Sequence, residues 1–178
     1  MAGVRGSEPI RIVVPRGAMV VLIGASGAGK STFAARHFPR THVLSSDEMR
    51  AIVADDPNDQ TATQGAFQLL HTALALRLAG RRTTVIDATN VERLWREQLL
   101  AIARRAGRPA IAIVLAQPLE VMLARNAARP DPRPAAAVRR QHRRLATSVA
   151  SLHDEGYQRV CFLDGEEAVA TVELVIED

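Results

Sequence analysis

Short apolar runs alternate along the chain with longer stretches in which apolar residues recur every three or four positions. IRIVV (10–14) and AMVVLIG (18–24) read as strands separated by Pro15-Arg16-Gly17, a spacing compatible with a hairpin. Residues 30–38 follow as a short helix and THVLS (41–45) as the next strand. ADDPNDQ (54–60) is polar, contains a proline and is predicted to be a loop. Across 62–79, Phe67, Leu70, Leu74 and Leu78 fall on one helical face, and Gly80 suits a helix stop. TTVID (83–87) predicts a strand. Asn90 is then placed to cap a helix whose Trp95, Leu99, Ile102 and Ala106 share a face as far as Gly107. AIAIVLA (110–116) is again strand-like, and Pro118 suits the first turn of the helix after it. DPRP (131–134) interrupts that helix, an arginine-rich helix runs on to about 153, and RVCFL (159–163) reads as a further strand.

Buried-type strands alternating with amphipathic helices predict an α/β fold with three layers: a parallel central sheet and helices on both faces. No repeat, low-complexity tract or linker divides the sequence, so residues 1–178 are expected to form one domain. A content of 47% hydrophobic and 24% charged residues suits a soluble globular protein. The longest apolar runs are strand-length, well short of the roughly 20 residues of a membrane span. The first residues lack the apolar segment of a signal peptide. Cys161, the only cysteine, rules out an internal disulfide and sits in a strand-like run, where it reads as core rather than nucleophile. These features set the expectation of a cytoplasmic protein with no membrane partner.

The formal net charge of +4 changes this picture little. Lys30 is the only lysine among 23 basic residues, and an Ala- and Arg-rich composition is also what a GC-rich genome produces. Two local facts survive that discount. Lys30 lies inside a glycine-rich run, and seven arginines crowd into residues 125–144.

VVLIGASGAGKST carries the pattern G-x-x-x-x-G-K-S, with a strand before it and a helix after it, the context that a phosphate-binding loop requires. Gly24, Ala25, Ser26, Gly27, Ala28 and Gly29 are expected to wrap backbone amides around a phosphate, assisted by the following helix N-terminus. Lys30 is predicted to reach the β and γ phosphates and Ser31 to ligate Mg²⁺, with Thr32 completing the loop. The expected ligand is ATP, or another nucleoside triphosphate, with Mg²⁺. Asp87, closing TTVID, is placed to support the magnesium through water. No N-K-x-D signature of guanine selection appears, and the five histidines lack metal-ligand spacing.

The stretch LSSDEMR follows the next strand. In a doubly wound sheet ligands gather at the carboxyl ends of strands. Asp47 is therefore expected to face the γ-phosphate and to orient and deprotonate an attacking hydroxyl. Arg50, one helical turn on, would clamp an anion on the acceptor. The alternative for this pair is a helix cap and a solvated arginine. Arg125 and Arg129, four apart in MLARNAAR, are predicted to close over the donor phosphates from a helical lid spanning about 118–150. Arg133 follows in the proline-rich turn, whereas Arg139, Arg140, Arg143 and Arg144 equally suit a solvated basic face.

GASGAGKST, LSSDEMR, DDPNDQ, VIDATN and RNAAR, in this order, resemble the 5′-hydroxyl polynucleotide kinase module of bacterial end-healing and RNA-repair enzymes. The resemblance runs from about residue 10 to about residue 170. It implies a P-loop kinase-type domain with a helical lid that transfers the γ-phosphate of ATP to the 5′-hydroxyl end of DNA or RNA. In that reading Lys30 and Ser31 hold phosphates and Mg²⁺, and Asp47 is the general base. Arg50 grips the phosphate on the 3′ side of the terminal nucleoside, and Arg125 and Arg129 are the lid arginines on ATP. In many relatives this module is fused to phosphatase, ligase or phosphohydrolase domains. The chain is therefore expected either to act by itself, alongside separate phosphatase or ligase enzymes, or to be one domain of a larger protein. Related modules can form homodimers. A small-molecule kinase with a sugar, nucleoside or antibiotic acceptor shares the architecture, as does a regulatory nucleotide-binding domain that transfers nothing. Aromatic residues are 3% of the chain, and no base-stacking platform is legible in the sequence.

Overall fold

A computed structural model describes residues 10–177, along which seven strands and seven helices follow one another. Two strands stand apart from the main sheet: β1 (Arg11–Pro15) pairs in parallel with β7 (Glu173–Glu177), Val13 opposite Val175. The other five are β2 (Met19–Ile23), β3 (Val43–Ser45), β4 (Thr84–Asp87), β5 (Ala110–Ala116) and β6 (Arg159–Asp164). They form one parallel sheet in the order β3-β4-β2-β5-β6. The α/β expectation therefore holds, with helices on both faces of this sheet.

The anticipated pairing of the first two strands does not form. Both edges of β2 are taken, by β4 on one side and β5 on the other, so β1 has no place beside it. Gly17, at φ 72, turns the chain away. A Cβ at Gly17 would lie 2.9 Å from the Arg81 carbonyl oxygen, which suits the position to glycine. The partner of β1 comes instead from the C-terminal end, where α7 (Gly165–Thr171) and β7 extend the fold beyond the pattern read from the sequence.

β2 is buried at all five positions, which explains its unbroken apolar run. Its alternate residues face opposite layers. Met19, Val21 and Ile23 pack with Leu70, Leu74 and Leu78 of α3 (Thr63–Ala79) and Leu99 and Ile102 of α4 (Arg93–Arg105). Val20 and Leu22 pack with Phe33 of α1 (Lys30–His37), Met122 of α5 (Leu119–Ala127) and Val138 of α6 (Ala135–Ser148). The α3 stripe is Ala66, Leu70, Leu74 and Leu78, while Phe67 turns aside and stacks on Trp95 of α4, ring centroids 4.7 Å apart.

Two local roles differ from expectation. Asn90 does not cap α4, which begins at Arg93 with Glu92 at the cap position. Asn90 is buried, adopts φ 49, and donates from Nδ2 to the carbonyls of Leu22 (2.7 Å) and Ala88 (3.2 Å). The left-handed conformation that asparagine tolerates serves here to tie the exit of β4 to β2. Pro118 precedes α5 at its N-cap instead of occupying the first turn. The interruption at 131–134 does separate α5 from α6, and Asn126 staples the turn. Its Nδ2 donates to the Arg133 carbonyl at 2.8 Å, and its Oδ1 accepts from the Arg133 amide at 3.1 Å. No helix among the described residues is long and apolar enough to cross a membrane.

Candidate active site

The loop after β2 bends back on itself at Gly27 (φ 86) and Gly29 (φ 91), conformations open to glycine and strained for other residues. α5 lies hard against it: a Cβ on Gly27 would stand 2.3 Å from the Met122 carbonyl oxygen. Lys30 opens α1 and folds over the loop, donating from Nζ to the Ala25 carbonyl at 2.9 Å. Burial lowers its pKa to about 8, with nearby Asp87 opposing the drop and Arg129 adding to it. Ser31 and Thr32 follow with exposed side chains. Ser26, Gly27 and Gly29 of the loop, with Lys30, Ser31, Thr32, Asp47 and Asp87, border one cavity of about 720 Å³ at the carboxyl ends of the strands, whereas Gly24, Ala25 and Ala28 are buried outside its lining.

Asp47 stands in the first turn of α2 (Ser46–Ala54). The cap of that helix is Ser45, whose Oγ accepts from the Glu48 amide, so capping does not account for Asp47. Arg50 is paired with Asp47 directly, is 6% exposed, and donates from Nε to the Pro57 carbonyl at 2.8 Å. The loop at 55–59 thus holds the guanidinium in place. Arg133, just before α6, and Arg129, just after α5, reach the same carboxylate at 3.4 and 3.9 Å. Arg125 instead pairs with Glu166 of α7, and its Nη1 lies 3.6 Å from the position of a Cβ on Gly29. The two arginines therefore divide, Arg125 beside the phosphate loop and Arg129 near Asp47.

The cavity is strongly cationic. Lys30, Arg50, Arg125, Arg129, Arg133, Arg140 and Arg144 line it against only Asp47, Asp87 and Glu92. Burial lowers the pKa of Arg50, and Arg133 lowers it further; Arg133 is lowered by burial and then by Arg129. Such mutual repulsion among cations suits the site to a polyanion.

Four side chains contribute in ways not legible in the sequence. Gln141 of α6 accepts the phosphate-loop amide of Ser26 at 2.9 Å, and nothing in its arginine-rich surroundings marks it. Arg96 is wholly buried and forks onto Glu155, with Nε–Oε2 at 2.7 Å and Nη2–Oε1 at 2.5 Å. Its Nη1 donates to the Asn90 carbonyl at 2.9 Å, which props the 88–92 segment of the cavity wall. Phe67 and Trp95 form part of that wall as well.

A family model described as an AAA domain matches residues 19–152, from β2 to just past α6. The chain belongs to this AAA-domain family. No curated protein matches the sequence. In fold, this AAA-domain chain is similar to a structure of the Pnkp1/Rnl/Hen1 RNA repair complex (TM-score 0.65, 19% identity), covering 83% of this chain and 48% of that one. It thus spans about half the length of that protein. Chaetomium thermophilum Kti12 in complex with ADP-AlF3 is similar at TM-score 0.62 and 18% identity, over 86% of this chain and 94% of that one. A gluconokinase from Sinorhizobium meliloti 1021 is similar at 0.54 and 18%, over 89% and 88%. At these identities the likeness is one of fold: a parallel five-stranded sheet flanked by helices.

Proposed function

We propose that this chain transfers the γ-phosphate of ATP to the 5′-hydroxyl end of a DNA or RNA strand. The observation that carries the reading is the placement of Asp47 and Arg50 side by side in the cavity that also holds the phosphate loop. A polynucleotide end offers a hydroxyl to deprotonate and a phosphodiester nearby to hold, which calls for a carboxylate and a guanidinium together.

In this reading the loop amides and Lys30 hold the β and γ phosphates. In the same cavity the Ser31 hydroxyl offers a hard oxygen ligand and the Asp87 carboxylate an acceptor for a metal-bound water, which together fit a magnesium ion that keeps phosphates and waters as its other ligands. Held by these residues, the ion would supply positive charge to offset that of the donor phosphates. Asp47 accepts the proton of the 5′-hydroxyl as its oxygen bonds to the γ-phosphorus. The bond from that phosphorus to the β–γ bridging oxygen breaks, and ADP leaves. Arg125 and Arg129 balance the charge that spreads over the equatorial oxygens. The contacts of Arg129 and Arg133 with Asp47 are long, and donor phosphates compete for both guanidiniums; Arg50 stays on Oδ1, which leaves Oδ2, the oxygen that Arg129 faces, to the hydroxyl.

Likeness in fold to the RNA repair complex supports a polynucleotide acceptor. The near full-length match to the gluconokinase favours a second reading, a small hydroxylated metabolite as acceptor. The deciding experiment presents labelled ATP and Mg²⁺ with 5′-hydroxyl oligonucleotides. Label on the oligonucleotide, reduced about 10²–10⁴-fold by Asp47→Asn with ATP affinity kept, is the expected result. ATP binding without label on any DNA or RNA end would overturn the polynucleotide reading.

A further inference from the structure

From the geometry of the cavity wall we infer that Phe67 and Trp95 form a stacking subsite for the nucleobase of the acceptor's terminal nucleoside. The proposal rests on the polynucleotide reading of the same cavity.

The two rings stack at 4.7 Å with an interplanar angle of 23°, so they brace each other, and a base laid on an outer ring face would extend the stack. His71 meets Phe67 edge-on, ring centroids 6.0 Å apart. The surrounding side chains show that the pair is not simply core. Leu70, Leu74, Leu78 and Leu99 on the same two helices have no exposed surface, whereas Phe67 and Trp95 are half-buried and both line the cavity.

Their position selects the ligand. The pair stands on α3 and α4, the layer on the opposite face of the sheet from α1, which carries Lys30. It shares the cavity with Asp47 and Arg50, the groups proposed to take the hydroxyl and the phosphodiester of the acceptor. A nucleoside whose hydroxyl meets Asp47 and whose phosphate meets Arg50 carries its base as the remaining bulky group. Gln60 and Thr63, also in the wall, offer hydrogen-bonding groups for its edge. Every base has a π-face, so such a platform is tolerant of sequence and rejects an acceptor without a planar ring.

Trp95 is the only tryptophan of the chain, which makes its fluorescence a direct reporter. The experiment uses the full chain and two 5′-hydroxyl dinucleotides, one with a base on its first sugar and one abasic there, both retaining the phosphodiester. Quenching of Trp95 by the first alone, and an acceptor KM about 10- to 100-fold higher for the abasic one, is the expected result. Trp95→Ala should raise the KM for the base-bearing dinucleotide by a similar factor with kcat little changed, and Trp95→Phe should restore most of it. Equal quenching and equal KM for the two dinucleotides would overturn the stacking subsite while leaving the polynucleotide kinase intact. Equal quenching by ATP alone would assign the pair to the donor and likewise overturn it. Phosphate transfer to neither dinucleotide would overturn both readings together.

Discussion

Replacing Lys30 by methionine should make the nucleotide-free protein more stable while abolishing its use of ATP. Lys30 is 8% exposed, and burial lowers its pKa from the ordinary 10.5 to about 8. At about 1.36 kcal/mol per pH unit, holding the ammonium charged at pH 7 costs about 3 kcal/mol. The attraction of Asp87 is already contained in that figure. Methionine fills a similar volume and gives up only the bond to the Ala25 carbonyl, worth about 1 kcal/mol, so the net gain is about 2 kcal/mol. Because the folded pKa lies below the unfolded one, the unfolded chain binds the proton more tightly. The penalty is therefore complete below about pH 8 and disappears as pH rises toward 10.5. Urea unfolding at pH 7 and pH 10 checks this. At pH 7 Lys30→Met should unfold at higher urea with an unchanged slope, and its Tm should rise by about 4–8 °C. At pH 10 the advantage should be nearly gone. A variant that is less stable at pH 7, or whose advantage does not shrink with pH, would refute a desolvated ammonium in the free site.

Arg96→Met should destabilise the fold by about 3–5 kcal/mol in urea unfolding, because it leaves Glu155 buried without its partner. Adding Glu155→Leu should recover most of that loss, since it removes the stranded charge. Gly27→Ala should eliminate ATP binding measured by calorimetry, because the new Cβ collides with the Met122 carbonyl at a backbone angle that alanine resists. For a polynucleotide held through two or three phosphates, log affinity against log salt should fall with a slope of about −1.5 to −2.5. Arg50→Ala should flatten that slope by about 0.7, and a slope near zero in the unaltered protein would point to an uncharged acceptor.

The sequence by itself determined what local chemistry can determine. The phosphate loop is contiguous, from Gly24 to Thr32, and its strand-loop-helix setting is encoded within the same run. Asp47 and Arg50 lie one helical turn apart, so α2 alone brings them together. Alternating apolar runs and amphipathic stretches were enough to predict a parallel sheet between two helical layers. Periodicity, however, states only that a residue points inward, not what it meets. Which strand sits beside β1 depended on both edges of β2 being occupied, and the answer, β7, lies at the other end of the chain. Gln141 reaches Ser26 across 115 residues, and Arg96 finds Glu155 across 59. Phe67 looked like one more member of an apolar stripe until packing gave that role to Ala66 and left the ring beside Trp95. Each of these contacts joins segments distant along the chain, and their partners are chosen by how whole layers fit together. That choice is made by close packing and hydrogen-bond satisfaction in three dimensions, which no short window of sequence contains.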